Sequence, residues 1–310
     1  MRILFLGTPD FAVKALEKLI DCGYDVVGVV TQPDKKRNRG SEVSFSPVKE
    51  YALSKGIKVY QYESVRREGV EDIKALNPDV MITCAFGQII SQEILDIPKH
   101  GVLNIHASLL PKYRGSSPIQ WCLLNGEKIT GVTIMKTALA VDSGDILLQR
   151  QLDILPDENA GELFDRLSEL GGEAIIKALE LINSGKAQFT KQDETKATHY
   201  PMISKEDGLI DWNLSAVDIF NKMRGFTPWP SAFTYLDGKL FKVLKSKVFD
   251  GELPLDLTAG GVYTTKNSAF VKCGKGVLQL LQVQLEGKKA MDISSFMASG
   301  KLKSETVLGK

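Results

Sequence analysis

Histidine is scarce in this chain, with three in 310 residues at His100, His106 and His199, and no local spacing among them builds a zinc cluster or an HExxH helix. Metal dependence is not indicated. The four cysteines, Cys22, Cys84, Cys122 and Cys273, lie far apart with no CxxC pair, and three sit in apolar segments. They read as reduced, buried thiols. No apolar run approaches the roughly 18 to 20 residues that cross a bilayer. Met1-Arg2 leads straight into Ile3-Leu4-Phe5-Leu6, so a cytoplasmic protein, neither secreted nor membrane-spanning, is expected. A strong net charge is missing too: 39 Lys and Arg face 38 Asp and Glu. The balance hides an asymmetry, because residues 1–204 carry 24 basic against 27 acidic side chains and residues 205–310 carry 15 against 11. Charge alone reads there as a solvated lysine surface. No internal repeat or low-complexity tract appears.

The rest of the composition, 43% hydrophobic and 25% charged with 27 Gly and 12 Pro, is that of an ordinary globular chain. Its length favours two domains, since one core seldom grows past about 250 to 300 residues. The first half alternates strand and helix signals. Arg2 to Gly7 is apolar after the arginine, as in a strand buried on both faces. Thr8 with Pro9 then offers a helix start, and Phe11, Ala12, Ala15, Leu16, Leu19 and Ile20 form one helical stripe before Gly23. Further strands fit Val26 to Val30, Asp79 to Cys84, Gly101 to His106 and Gly131 to Lys136. Helices fit near Ser46-Pro47, Gly69 to Leu76, Ile119 to Leu124 and Gly161 to Ile182. This predicts an open, doubly wound, mostly parallel α/β sheet over residues 1–187. Residues 188–206 turn polar and read as a linker. Residues 207–310 hold short β-prone runs at Phe233 to Tyr235, Leu240 to Leu244, Gly261 to Tyr263, Ala269 to Lys272 and Val277 to Gln284, the spacing of a small β-barrel.

A doubly wound sheet invites a dinucleotide, but the first strand-to-helix turn is Gly7-Thr8-Pro9-Asp10-Phe11, without the GxGxxG glycines that admit a pyrophosphate. No GxxxxGK[ST] is present either. The richest stretch is Asn104-Ile105-His106-Ala107-Ser108-Leu109-Leu110-Pro111-Lys112-Tyr113-Arg114-Gly115, at the C-terminal end of the strand from Gly101 to His106, where open α/β sheets bind ligands. Strand alternation sets Asn104 and His106 on one face. Asp142, in the turn Val141-Asp142-Ser143-Gly144-Asp145, could complete a constellation with them. Alternation alone leaves the other reading open, in which His106 is a satisfied core histidine, Asn104 a turn former and Asp142 an ordinary loop residue.

The words after the histidine change that. Asn-x-His-x-Ser-Leu-Leu-Pro-x-x-Arg-Gly, followed by Gly131-Val132-Thr133 and Asp142-Ser143-Gly144-Asp145, resembles the active-site pattern of the 10-formyltetrahydrofolate-dependent formyltransferases. The resemblance continues through Gly7-Thr8-Pro9-Asp10-Phe11, Gln32-Pro33-Asp34, Ser46-Pro47-Val48-Lys49, Phe86-Gly87-Gln88, Ser117-Pro118-Ile119-Gln120 and Gly287-Lys288-Lys289, covering nearly the whole chain. It is strongest to the branch that formylates methionyl initiator tRNA for translation initiation. The resemblance implies a Rossmann-like catalytic domain, an OB-like tRNA-binding domain, and formyl transfer from 10-formyltetrahydrofolate without a metal. It assigns catalysis to Asn104, His106 and Asp142, and the folate pocket to Phe86, Gly87, Gln88, Ser108, Leu109, Leu110 and Pro111. It also implies tRNA contact through the basic loop, with Lys35, Lys36, Arg37 and Arg39, and a nonspecific cradle using lysines such as Lys245, Lys247, Lys288 and Lys289. A monomer with no obligate protein partner and no membrane association is expected. The competing readings are a deformylating hydrolase or sugar-amine formyltransferase with the same constellation, a catalytically silent RNA-binding protein, and a dinucleotide oxidoreductase. The basic loop and barrel argue against the first, the complete Asn/His/Asp set against the second, and the missing glycines against the third.

Overall fold

The computed structural model describes residues 1–36 and 43–309, and divides the chain into two compact units. The first comprises residues 1–118, 129–153 and 164–200. The second comprises 119–128, 154–163 and 201–310.

The first unit is built on strands β1 (Arg2–Gly7), β2 (Asp25–Thr31), β3 (Val59–Gln61), β4 (Val80–Cys84), β5 (Val102–His106), β6 (Ile129–Lys136) and β7 (Ile146–Asp153). Their order across the sheet is β7-β6-β5-β4-β1-β2-β3. The five strands from β5 to β3 run parallel, and β6 and β7 are antiparallel additions. Order reverses between β1 and β4, the topological switch at which such sheets open a crevice beyond their C-terminal ends. Ile3, Leu4, Phe5 and Leu6 have no exposed surface, as their unbroken apolar run predicts for a strand covered on both faces. Leu4 and Leu6 join Met81, Val102, Ile73 and Phe86 in one cluster.

The helices include α1 (Val13–Asp21), α2 (Pro47–Ser54) and the 24-residue α3 (Ala160–Asn183). α2 starts as its sequence predicts: Ser46 Oγ accepts from Lys49 N at 3.2 Å, with proline in the first turn. α1 does not. A 3₁₀ turn over Asp10–Ala12 precedes it, and Thr8 makes no cap. The Thr8 hydroxyl instead donates to Phe86 O at 3.2 Å and accepts from Gln32 N at 3.3 Å, tying the ends of three neighbouring strands together. α3 lies close to the sheet because Gly171 has no side chain: a Cβ there would stand 3.0 Å from Ile105 Cγ2.

In the second unit, α4 (Ala216–Phe226) packs on strands β8 (Phe233–Leu236), β9 (Lys239–Phe249), β10 (Val262–Thr264), β11 (Ala269–Lys272), β12 (Val277–Leu285) and β13 (Met291–Asp292). The antiparallel order is β8-β9-β12-β11-β10, with β13 also on β12. Register shifts between Val243 and Ser246 bend the long β9, and the sheet curls into an OB-like half-barrel. Phe241, Val243, Val271, Leu278, Leu280 and Ile219 form its core without exposed surface.

The polar stretch expected as a linker is partly built into the first unit. His199–Tyr200 forms a short strand beside Arg114–Gly115, and Thr190 bridges Ile146. Composition could not reveal this, because those bonds join backbone groups far apart in sequence. Among the described residues no helix is long and apolar enough to cross a membrane. Cys84, Cys122 and Cys273 are buried free thiols, and Cys22 is exposed.

Candidate active site

Val102, Asn104 and His106 share one face of β5, and alternation turns Leu103 and Ile105 to the other. Asn104 pairs in register with Thr83 on β4 and Met135 on β6, and His106 with Thr133. The Thr83 hydroxyl donates to Asn104 Oδ1 at 2.8 Å, which fixes the orientation of the amide. The Asn104 NH2 group has no partner among the described residues and retains its donor capacity.

His106 is 6% exposed. Its Nε2 stands 2.9 Å from the Tyr113 carbonyl oxygen, which can only accept, so Nε2 carries the hydrogen. Tyr113 presents that carbonyl from a left-handed backbone, φ 61°, held by a bond from Tyr113 N to Thr198 Oγ1 and by stacking of its ring on Tyr200. The other ring nitrogen, Nδ1, faces Asp142 Oδ1 at 3.6 Å. The sequence-assigned histidine and aspartate are thus brought together, on the same strand end as Asn104.

Asp142 lies in the β6–β7 turn with φ 50°. Its Oδ2 accepts from Gly115 N at 2.9 Å, which leaves Oδ1 for the imidazole. Gly144, two residues on, passes so near β6 that a Cβ would stand 1.6 Å from Lys136 O. Only glycine allows this turn to close.

Thr133 organises the loop after His106. Its hydroxyl donates to Ser108 O at 2.7 Å and accepts from Leu110 N at 3.1 Å and Gln149 Nε2 at 2.9 Å. Of the residues assigned to the folate pocket, Ser108 is fully buried with its hydroxyl on Lys112 O, Leu110 is buried, and Leu109 and Pro111 are half-buried. Phe86 belongs to the core cluster, Gly87 is exposed with φ 77°, and Gln88 binds Val65 N and Tyr62 O through its amide. Gln32 Nε2 donates to the carbonyls of Phe86 and Gly87, pinning that turn to the end of β2. Phe86, Ser108 and Leu110 therefore shape the turns from within, and Gly87, Leu109 and Pro111 are the surfaces they leave open.

Arg37 and Arg39 lie outside the described residues. Lys35–Lys36 forms a short antiparallel pair with Val43–Ser44 at the loop's base. Asp34, just before it, pairs with Lys49 and accepts from Gln61, while Lys49 also lies over the Phe45 ring. In the second unit, Lys245, Lys247, Lys288 and Lys289 are all exposed. Among the described residues no group of His, Cys, Asp or Glu is placed to hold a metal ion.

Thr83, Tyr113 and Gly115 escaped sequence reasoning as site residues. Thr83 had one signal, a hydroxyl in the otherwise apolar run Val80-Met81-Ile82-Thr83-Cys84. Gly115 stood inside the quoted motif.

Residues 1–179 match the family model described as formyl transferase, and residues 202–301 match the formyl transferase C-terminal domain. A methionyl-tRNA formyltransferase from Agathobacter rectalis is 48% identical over 299 residues, covering 96% of each chain. Among solved structures, a methionyl-tRNA formyltransferase from Clostridium thermocellum superposes with a TM-score of 0.57 at 20% identity, covering 81% of this chain and 95% of its own. An N-formyltransferase from Helicobacter canadensis, in complex with folinic acid and dTDP-3-aminofucose, gives a TM-score of 0.70 at 19% identity, covering 91% and 99%. These two structures share the fold at similar, low identity, and the family is shown instead by the relative that is 48% identical over nearly the full length.

Proposed function

The chain belongs to the methionyl-tRNA formyltransferases, and from that membership we propose that Asn104, His106 and Asp142 move the formyl group of 10-formyltetrahydrofolate onto the α-amino group of methionyl initiator tRNA. The observation that carries the assignment is the clamped imidazole. His106 is held between the Tyr113 carbonyl and the Asp142 carboxylate, on the strand end where Asn104 offers an unpartnered NH2.

The acceptor needs little activation. An α-amine has a reference pKa of about 7.7 to 8.0, so a useful fraction of it is neutral near physiological pH. The harder requirement is the negative charge that grows on the formyl oxygen as the amine adds. Asn104 supplies amide donors that do not titrate, and His106 supplies a proton or hydrogen bond. Nε2–H stays on the Tyr113 carbonyl, so Nδ1 is the ring nitrogen that takes up and returns a proton, with Asp142 stabilising the charged ring. In the balance, the new C–N bond forms as the bond to N10 breaks, and the proton lost by the amine replaces the formyl group on N10.

The formyl-folate donor fits the residues present: the free Asn104 donors suit a neutral carbonyl, and the turns at Phe86–Gln88 and Ser108–Pro111 offer backbone polar groups beside apolar surface. For the nucleic acid, the basic loop from Lys35 to Arg39 and the exposed lysines of the second unit supply phosphate contacts. The first unit is read as catalytic and the second as tRNA-binding, in a cytoplasmic monomer.

The test is transfer of labelled formyl from 10-formyltetrahydrofolate, with methionyl initiator tRNA, methionyl elongator tRNA, free methionine and no acceptor in parallel. Selective labelling of the initiator is expected. Folate turnover without labelled tRNA would replace this reading with a hydrolase or sugar-amine formyltransferase.

A further inference from the structure

We infer that Gln192 is the positioning residue that holds Asp142 in its catalytic orientation, an inference that rests on the role of Asp142 proposed above. Gln192 follows α3 and lies 50 residues beyond Asp142 in sequence. Its amide makes four bonds to oxygen and guanidinium partners, all in one orientation, with Met135 Sδ a further, weaker acceptor at 3.9 Å. The NH2 group donates to Asp142 O at 2.8 Å and to Gly144 O at 2.7 Å. The oxygen accepts from Arg114 Nε at 3.1 Å and Arg114 Nη2 at 2.8 Å. A flipped amide would set its oxygen against two carbonyls and its NH2 against a guanidinium, so the orientation is unique.

Arg114 is 3% exposed, and its other face meets Glu194 in a bidentate pair at 2.7 and 2.9 Å. The next residue, Gly115, donates its N–H to Asp142 Oδ2. Asp142 is consequently held at both ends, its carbonyl through Gln192 and Arg114 and its carboxylate through Gly115. This matters because Asp142 keeps a left-handed φ of 50°, a region that aspartate tolerates better than most residues but that its Cβ still disfavours, so the surrounding bonds hold it there. Release of the carbonyl frees the backbone to relax and carries Oδ1 away from His106. Gln192 touches neither His106 nor a reacting atom, and it acts on Asp142 through the 142–144 turn and through Arg114, whose neighbour Gly115 holds the carboxylate.

Gln192→Glu tests this. The substitution preserves shape and the acceptor facing Arg114, but turns the two donors into an oxygen opposed to two carbonyl oxygens. We expect kcat for tRNA formylation to fall about ten- to a hundred-fold, the scale of a small misplacement of a reacting group, with KM for methionyl-tRNA within about twofold. The same substitution in an Asp142→Asn background should cost no more than about twofold further, because the pathway it acts through is already broken. Gln192→Met, uncharged and of similar length, serves the same cycle if the carboxylate prevents folding. A folded Gln192 variant with ordinary kcat overturns the proposal, as does an equal loss in both backgrounds. Ordinary turnover of Asp142→Asn alone refutes the catalytic reading itself and is recognisable as that separate failure.

Discussion

Replacing Asp142 with asparagine changes one atom and has consequences that can be worked through the local geometry. Gly115 N–H donates to one side-chain oxygen at 2.9 Å, so the asparagine must keep its oxygen there. Its NH2 then faces His106 Nδ1 in place of the carboxylate oxygen at 3.6 Å. An NH2 group donates to a neutral imidazole and opposes a protonated one, so the variant favours the ring form that cannot deliver a proton. At an effective dielectric of about 20, unit charges at the 3.6 Å separation attract by at most about 5 kcal/mol. Each 1.4 kcal/mol is about a tenfold change, so kcat should fall by up to about three orders of magnitude. The assay is single-turnover formylation of methionyl initiator tRNA at saturating 10-formyltetrahydrofolate, with thermal unfolding as the folding control. A folded Asp142→Asn enzyme within about fivefold of the parent would refute the reasoning.

Four further outcomes are expected. Asn104→Ala should lower turnover by about 10² to 10³, the cost of one oxyanion donor, while Thr83→Val, which frees the amide to rotate and removes a bond to Leu103 O, should cost a small fraction of that in the same assay. Gly144→Ala forces a Cβ onto the Lys136 carbonyl, so it should lower stability in urea by about 1 to 3 kcal/mol and reduce kcat as well. Burial works to raise the Asp34 carboxyl's pKa, but hydrogen bonds from Lys49 and Gln61, with the Lys49 charge, outweigh it and hold the group below the ordinary aspartate range. The resulting stability is present above the ordinary range and lost as pH falls through the lowered value, so Lys49→Met should move the acid-unfolding midpoint to higher pH. Arg39→Ala should lower catalytic efficiency with tRNA, and the KM for tRNA of the parent should rise steeply with salt; unchanged efficiency would remove the case for the basic loop.

Much of the fold was legible because its signals are local. The apolar run of β1 and the stripe of α3 follow from which faces exclude water, and the start of α2 follows from the fixed φ and missing N–H of Pro47. Thr8 failed as a helix start because its hydroxyl found Phe86 O and Gln32 N on neighbouring strand ends, a competition invisible in the sequence around it. The stretch after α3 looked like a connection since it is polar and carries no hydrophobic period. Its polar groups are instead partners for Arg114, Tyr113 and the 142–144 turn, and such pairings have no periodicity to read.

The sequence by itself determined the alternation of strands and helices, the face shared by Asn104 and His106, and a motif specific enough to name the chemistry. Those depend on backbone geometry that repeats every two or 3.6 residues and on residue types in a fixed local order. Tertiary structure alone decided that Nε2 of His106 keeps its proton on the Tyr113 carbonyl, that Thr83 orients Asn104, and that Gln192 and Gly115 hold Asp142 beside the imidazole. These are hydrogen bonds between groups up to 50 residues apart, formed only when hydrophobic burial has set the strand register and brought the loops to one end of the sheet.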